Sequence, residues 1–335
     1  MLFDSNCASI KFRKHSMKLI KSITTLAFLI TFAAVAQAQT YPNKPIRLVV
    51  AFAPGGGTDL LARLVSQRLS EVMGQPVIVE NRAGAGGNIG TRAVAAAKPD
   101  GHTILVTSNA YLVNPAISKT AGYDPLRDLI PIISAGKVPS VIVVHPSMQV
   151  GSFKELMTQS LSQPVFYSSA GVGTIPYIFI EYLNKRAGSK FVHVPYSGSG
   201  PALSAIVSGH VTMAALAGET GGLKDFIQTG KFRPLLVTSS KRWAARPEIL
   251  SLSELGLADF VMSSWVGFLV PANTPKDVVS RLNYELGRIL SHPEVRALQS
   301  GRDYEPNTSE QFAASNRIEL ERWINIAKEM DYKAE

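Results

Sequence analysis

Cysteine is all but missing from this 335-residue chain: Cys7 is the only one. An internal disulfide framework and a thiolate metal site are thereby excluded. Dense lysine or arginine blocks are also lacking, which removes the concentrated basic stripe that nucleic-acid binding needs. HExxH, CxxC and any His/Asp cluster at metal-ligand spacing do not occur. Neither does the GxxxxGK[ST] of a phosphate loop or the GxSxG of a nucleophile elbow. Ser197-Gly198-Ser199-Gly200 has the composition but not the register, since Tyr196 holds the place of the first glycine and Gly198 that of the serine. His102, His145, His193 and His210 are scattered singly at strand ends. No catalytic residue, metal or cofactor is assigned on these grounds, and a secreted hydrolase stays only as a residual alternative.

What is present begins with an export signal. Met17-Lys18-Leu19-Ile20-Lys21 is a short basic head, Ser22 to Ala36 runs apolar, and Ala36-Gln37-Ala38 has the small-x-small pattern of a cleavage site. The apolar run is about fifteen residues, short of the roughly 20 that span a bilayer as a helix. Residues 1–38 therefore read as a leader, with 17–38 the signal peptide and 1–16 an over-called start. The expected location is the periplasm. No cysteine follows the run, so a lipidated anchor is not expected. Cleavage would remove five basic residues (Lys11, Arg13, Lys14, Lys18, Lys21) and one acid (Asp4), taking the formal charge from +9 to +5. That bias suits attraction of anions.

Short apolar runs then alternate with amphipathic ones. Arg47–Phe52 predicts a buried strand and Asp59–Met73 a helix, with Leu61, Leu64, Val65, Leu69 and Val72 at helical spacing and Gly74 as its stop. Strands are expected at 76–80 and 102–107 with a helix at 89–97 between them. A second series follows, with strands at 140–145, 165–168, 191–194, 210–216 and 234–238 and helices at 153–160, 175–186 and 202–208. Two long helices, 276–291 and 309–330, close the chain. Repeated strand–helix–strand units predict an α/β fold with parallel sheets covered on both faces. No Pro-, Gly- or charge-rich linker separates the series, so two interleaved lobes are expected around a hinged cleft: 39–136 with 265–335, and 137–264. The crossovers would lie near Gly136–Pro139 and Ser263–Val266.

Ligands of doubly wound sheets sit beyond the carboxyl ends of strands, often at helix N-termini. Four loops there are unusual. Ala53-Pro54-Gly55-Gly56-Gly57-Thr58-Asp59 lets backbone approach a ligand closely, with Thr58 able to cap the helix. Asn81-Arg82-Ala-Gly84-Ala-Gly86-Gly87-Asn88 repeats the design, and the pair resembles an anion cradle. Ser168-Ser169-Ala-Gly171-Val-Gly173-Thr174 supplies hydroxyls before a helix. Tyr196, in His193-Val-Pro195-Tyr196-Ser197-Gly198-Ser199-Gly200-Pro201, could close over a ligand.

These loops, with Tyr41-Pro42-x-x-Pro45-Ile46, Val79-Glu-Asn-Arg82, Lys98-Pro-Asp-Gly101, Val237-Thr-Ser239, Lys241-Arg242, Ser264-Trp265-x-Gly267 and Pro271-Ala-x-Thr274-Pro275, resemble the Bug receptors. Those are the extracytoplasmic solute receptors of tripartite tricarboxylate transporters. The resemblance covers essentially the whole chain after the leader. It implies a two-lobed periplasmic-binding-protein fold of the second topological type, and a ligand carboxylate held largely by backbone amides and ordered water. By motif, the residues are Gly56, Gly57, Thr58, Asp59, Gly86, Gly87 and Asn88, with Ser169, Gly171, Thr174 and Tyr196 from the second lobe. Amino-acid, di- and tricarboxylates and aromatic acids are the ligand classes implied, and permease subunits the partner of a monomeric receptor. Presentation of the closed form to a sensor kinase is the alternative. Two departures stand out: Pro176-Tyr177 where family members often read Pro-His, and Ala214-Ala-Leu-Ala217 where many are more polar. An alanine-lined distal pocket predicts an acid with one captured carboxylate and a less polar, aromatic or branched remainder.

Overall fold

The alternating runs fold as strand–helix units because each strand is apolar enough to be covered and each helix has one apolar face. A computed structural model describes residues 41–332 except 219, 245, 258–260 and 299–301, so the leader expected at 1–38, with its expected division at Met17, and Cys7 lie outside the described residues. The chain divides into two units, Met1–Asn43 and Lys44–Glu335, and the architecture that follows is that of the second.

Its first half contains β1 (Ile46–Val50), α1 (Gly57–Met73), β2 (Val77–Asn81), α2 (Asn88–Ala95), β3 (Thr103–Ser108) and α3 (Ala110–Ile117). β1 pairs in parallel with both β2 and β3. α1 covers them with Leu61, Ala62, Val65, Leu69 and Met73 buried, and Gly74 ends it. β4 (Leu129–Val144) then runs into the second half. There follow α4 (Phe153–Ser162), β5 (Val165–Ser169), α5 (Ile175–Ala187), β6 (Phe191–Pro195), α6 (Ser199–Val207), β7 (Met213–Ala217), α7 (Leu223–Gln228) and β8 (Arg233–Val237). β5 pairs in parallel with β6 and β7. β9 (Ser263–Pro271) returns the chain, and α8 (Lys276–Ser291), α9 (Pro293–Leu298) and α10 (Ser309–Glu329) finish it. α10 starts on a capping box, in which Gln311 N–H donates to Thr308 Oγ1 (3.2 Å) and Thr308 N–H to Gln311 Oε1 (2.9 Å).

One expectation needs correction. The sheet is mixed rather than parallel, in the order β2-β1-β3-β9-β4-β7-β5-β6, with β8 also on β4. β9 runs antiparallel to β3 and β4, and β4 runs antiparallel to β7 and β8. β4 is 16 residues long and carries the chain outward, so the returning strand must meet it head to tail. Its first part was not legible as strand because Pro131, Gly136 and Pro139 interrupt it. The pairing accommodates them with register shifts between Pro131 and Ile133 and between Ser134 and Lys137. Lys137, Val138 and Pro139 pair with Trp265, Ser264 and Ser263, so the two crossing segments lie side by side. Both strands are buried along most of their length.

Candidate functional site

Four loops at the carboxyl ends of β1, β2, β5 and β6 meet face to face. Ala53 N–H donates to Ser197 O at 2.9 Å, joining the first loop to the fourth. A Cβ built on Gly200 would lie 2.4 Å from Pro54 O, so this approach is possible only without a side chain. The second loop meets the third in the same way. Gly86 has φ +60°, and a Cβ there would sit 2.0 Å from Val172 O. Asn114 of α3 stitches this seam: its Nδ2 donates to Gly86 O (3.0 Å), and its Oδ1 lies where a side chain on Gly173 would be.

Between the loops the cleft narrows to a cavity of about 30 Å³. That is room for about two waters at roughly 15 Å³ each. Gly56, Gly57 and Thr58 line one wall, and Ala170, Thr174, Ile175 and Pro176 the other. Phe52, Ser108, Ser199, Ala217 and Ser264 complete it. No charged side chain is among these residues. The first turns of α1 and α5 face the cavity from opposite sides, and N–H groups of a first turn have no intrahelical acceptor.

The other sequence candidates lie behind this lining. Asp59, 2 % exposed, turns its carboxylate back into its own loop. It accepts from Gly55 N–H (3.0 Å), Arg63 Nε (3.0 Å) and Asn81 Nδ2 (2.9 Å). Burial acts to raise its pKa, but the hydrogen bonds from Arg63, Asn81 and Gly55 outweigh it and hold the group below the ordinary carboxylate range. Asn88 Oδ1 shares the Tyr123 hydroxyl (3.1 Å) with Tyr111 O (3.0 Å). Gly87 O accepts from Thr91 Oγ1 at 2.9 Å. Gly171 backs onto Gly86 and accepts from Thr174 Oγ1 (2.7 Å) through its carbonyl. Tyr196 lies in an outer groove with Pro54, Leu203 and Pro201, away from the cavity. Arg82 makes a surface ion pair with Glu80 (2.6 Å).

Two finer readings change. Thr58 does not cap α1: the N-cap is Gly56, with no side-chain cap bond, and the Thr58 hydroxyl is left to face the cavity. Of Ala214–Ala217, only Ala217 reaches the cavity. Ala214 and Leu216 pack on one face of the strand and Ala215 on the other, as a two-residue period requires. Ser108, Ser199, Ser264 and Asn114 were not singled out from sequence. Ser199 and Ser264 lay inside quoted motifs without being named as site residues, and Asn114 left its own signal, an amide inside the apolar run Tyr111-Leu-Val-Asn114-Pro-Ala-Ile117.

Ser169 is buried, and its Oγ sits 2.7 Å from His193 Nε2 while accepting Gly171 N–H at 3.2 Å. A serine sealed behind the cavity wall is no nucleophile; the pair sets the shape of the third loop. Burial lowers the His193 pKa to about 4, so the ring is neutral at neutral pH and shares a hydrogen bond with the serine hydroxyl. An unfolded histidine titrates near 6.5, so between those values the unfolded chain holds the extra proton. The stabilisation is complete above about pH 6.5 and is lost as pH falls toward 4. Between pH 8 and pH 5 the wild type should lose about 1–2 kcal/mol more than His193→Gln in urea unfolding, with allowance for the partly exposed ring. Equal pH slopes for the two proteins would refute the assignment.

A two-lobed α/β fold with glycine-lined loops closing on a small uncharged cavity defines a periplasmic solute-binding protein. The tripartite tricarboxylate transporter family receptor profile matches residues 61–331. The chain belongs to that family, and is thus a transport receptor rather than an enzyme. Among relatives, BugT of Bordetella pertussis is 32 % identical over 326 residues, covering 95 % of this chain and 99 % of BugT. The R. palustris protein Rpa4515, solved with adipate, superposes with a TM-score of 0.80 at 29 % identity, covering 87 % of this chain and 98 % of its own. MatC from Rhodopseudomonas palustris, with bound malate, gives 0.80 at 28 %, covering 86 % and 100 %. Among the described residues no group of three or more His, Cys, Asp or Glu is placed to hold a metal ion.

Proposed function

We propose that this receptor captures a small organic acid by one carboxylate and delivers it to permease subunits of the tripartite tricarboxylate type. The observation that carries the reading is the cavity lining. Hydroxyls of Thr58, Ser108, Ser199 and Ser264 and two opposed helix N-termini favour an anion, while Phe52, Ala170, Ile175, Pro176 and Ala217 favour a less polar remainder, and the Thr174 hydroxyl is committed to Gly171 O. With no lysine or arginine in the lining, neutral donors must carry the charge, consistent with capture by backbone amides and water. Adipate and malate in the two relatives are small dicarboxylates, which supports carboxylate capture and says nothing for the less polar remainder.

Gly56, Gly57, Thr58 and Thr174 are assigned direct contact. Asp59, Gly86, Gly87, Asn88, Ser169, Gly171 and Tyr196 shape the loops that present them. The lobes are taken as 39–136 with 265–335, and 137–264. A cavity of about 30 Å³ is far below the several hundred cubic ångströms of a usual ligand site, so the lobes part to admit the acid. Export by cleavage after Ala38 places the mature protein in the compartment where the family works. Nothing in the site geometry favours a sensor kinase over a permease as the recipient.

A thermal-shift screen with benzoate, a branched monocarboxylate, adipate, malate and citrate tests the reading. A ligand at 100 times its Kd adds about 2.7 kcal/mol to the folded state. The largest shift is expected from an acid with a less polar remainder; a citrate shift exceeding all others rejects that part, and no shift with any acid rejects carboxylate capture. Thr58→Ala should weaken the best acid about tenfold or more, the worth of one charge-assisted hydrogen bond. Unchanged affinity removes Thr58 from the contact set.

A further inference from the structure

Tyr177 stands where the family motif often carries histidine, and the carboxylate-capture reading leaves it without a role. It is 6 % exposed and follows Pro176, a residue of the cavity wall. Its hydroxyl lies 2.5 Å from that of Tyr332, just past the end of α10. Its ring lies against His193, with centroids 4.7 Å apart. His193 in turn holds Ser169, which holds Gly171 N–H, the residue that backs onto Gly86 across the cleft. One line of contacts thus runs from the C-terminal helix to the loop that closes on the ligand.

The helix at the other end of this line is fastened to the crossing strands. Glu319 accepts from Trp265 Nε1 of β9 (2.7 Å), Trp323 Nε1 (3.1 Å) and Asn109 Nδ2 (2.9 Å). Asn109 also donates to Ser263 O at 3.1 Å. The body of α10 packs on α3 and β4, so it moves with the half that carries Asn114 and Gly86. Its far end touches α5, which moves with the other half, through Tyr332–Tyr177 and an exposed Arg186–Glu329 pair at 3.6 Å. The exposed pair contributes little. The part-buried hydroxyl pair is the stronger tie, because parting the halves leaves two hydroxyls to be rehydrated at an aromatic surface.

We propose that Tyr332 and Tyr177 form a latch across the lobes, populating a closed form before any ligand arrives and holding the Ser169–Thr174 loop in its binding shape. Both are positioning residues, since neither lines the cavity. The proposal rests on the two-lobed receptor reading but not on the identity of the acid.

The test reads lobe separation directly. Spin labels at Val72→Cys and Leu161→Cys, both exposed positions, are placed in a Cys7→Ser background. Distances are measured without ligand in the wild-type sequence, Tyr332→Phe, Tyr177→Phe and the double variant. The phenylalanines keep the rings and remove one hydroxyl each. Either single change should lower the closed-to-open ratio about 3- to 10-fold, as one net hydrogen bond implies, and the double variant should be no more open than the singles. An unchanged ratio, additive single effects, a fall in melting temperature without any change in distances, or a ligand-free wild type with no short-distance population would each overturn the latch. Adipate is then added to all four proteins. If it binds none of them while the distances still respond to the hydroxyls, adipate capture fails and the latch stands.

Discussion

Gly200→Ala should leave the receptor as stable as the wild type yet weaken acid binding about 10- to 100-fold. Gly200 is the second residue of α6, where alanine is a better helix former by up to about 1 kcal/mol. Its backbone needs no left-handed conformation. The obstacle lies across the cleft: a Cβ would stand 2.4 Å from Pro54 O, with Gly55 C and Cα at 3.2 and 3.4 Å. All three are backbone atoms of the opposing loop, so no side chain can swing aside. In an open form the same methyl meets solvent. The clash therefore falls only on closure, and overpacking of this kind costs about 1–3 kcal/mol. A ligand that binds the closed form loses that amount of affinity. Isothermal calorimetry with the best acid from the screen, beside urea unfolding, separates the two effects. Wild-type affinity in Gly200→Ala would mean that the acid binds with these loops apart.

The second large effect falls on stability. Asp59→Ala should cost about 2–3 kcal/mol and abolish measurable binding. The carboxylate is almost wholly buried and gathers three donors. Removing it leaves Gly55 N–H and one Asn81 bond without their acceptor, and each unsatisfied buried donor costs about 1–3 kcal/mol. The Arg63 side chain is 52 % exposed and rehydrates, so its share is small. Binding suffers because Asp59 ties the start of α1 to Gly55 and to Asn81, which also donates to Phe52 O at 3.0 Å. Without that tie the cavity wall of Gly56, Gly57 and Thr58 loses its frame. Asp59→Asn, keeping the shape but not the charge, should recover part of the loss. A urea midpoint for Asp59→Ala within 0.5 kcal/mol of wild type, taken as the order of a typical surface substitution, would show that the loop stands without the carboxylate.

These expectations differ in how much of each could be read from the chain alone. Helical spacing and Gly74 located α1 to within two residues, and the glycine runs located the four loops, because periodicity and backbone freedom are local properties. The ordered motifs placed the chain in its family for the same reason: they are written along the sequence. Asp59 was legible as a site residue but not as a buttress, since its partner Asn81 becomes a neighbour only when β1 and β2 pair. β4 was half hidden because proline and glycine read as breaks, and only pairing with β9 absorbs them.

Composition and order along the chain by themselves determined the α/β class, the export signal as an expectation, the loops that present donors and the absence of thiol chemistry. The tertiary structure decided which donors face the cavity. It set Thr58 and Thr174 forward, put Ser169 and Asn88 behind, left one alanine of β7 on the lining, and gave Tyr177 a partner 155 residues away. The physical reason is range. A helix or a turn is specified by neighbours within a few residues, whereas the direction a side chain faces across a cleft depends on segments brought together by the sheet, and no local pattern records that meeting.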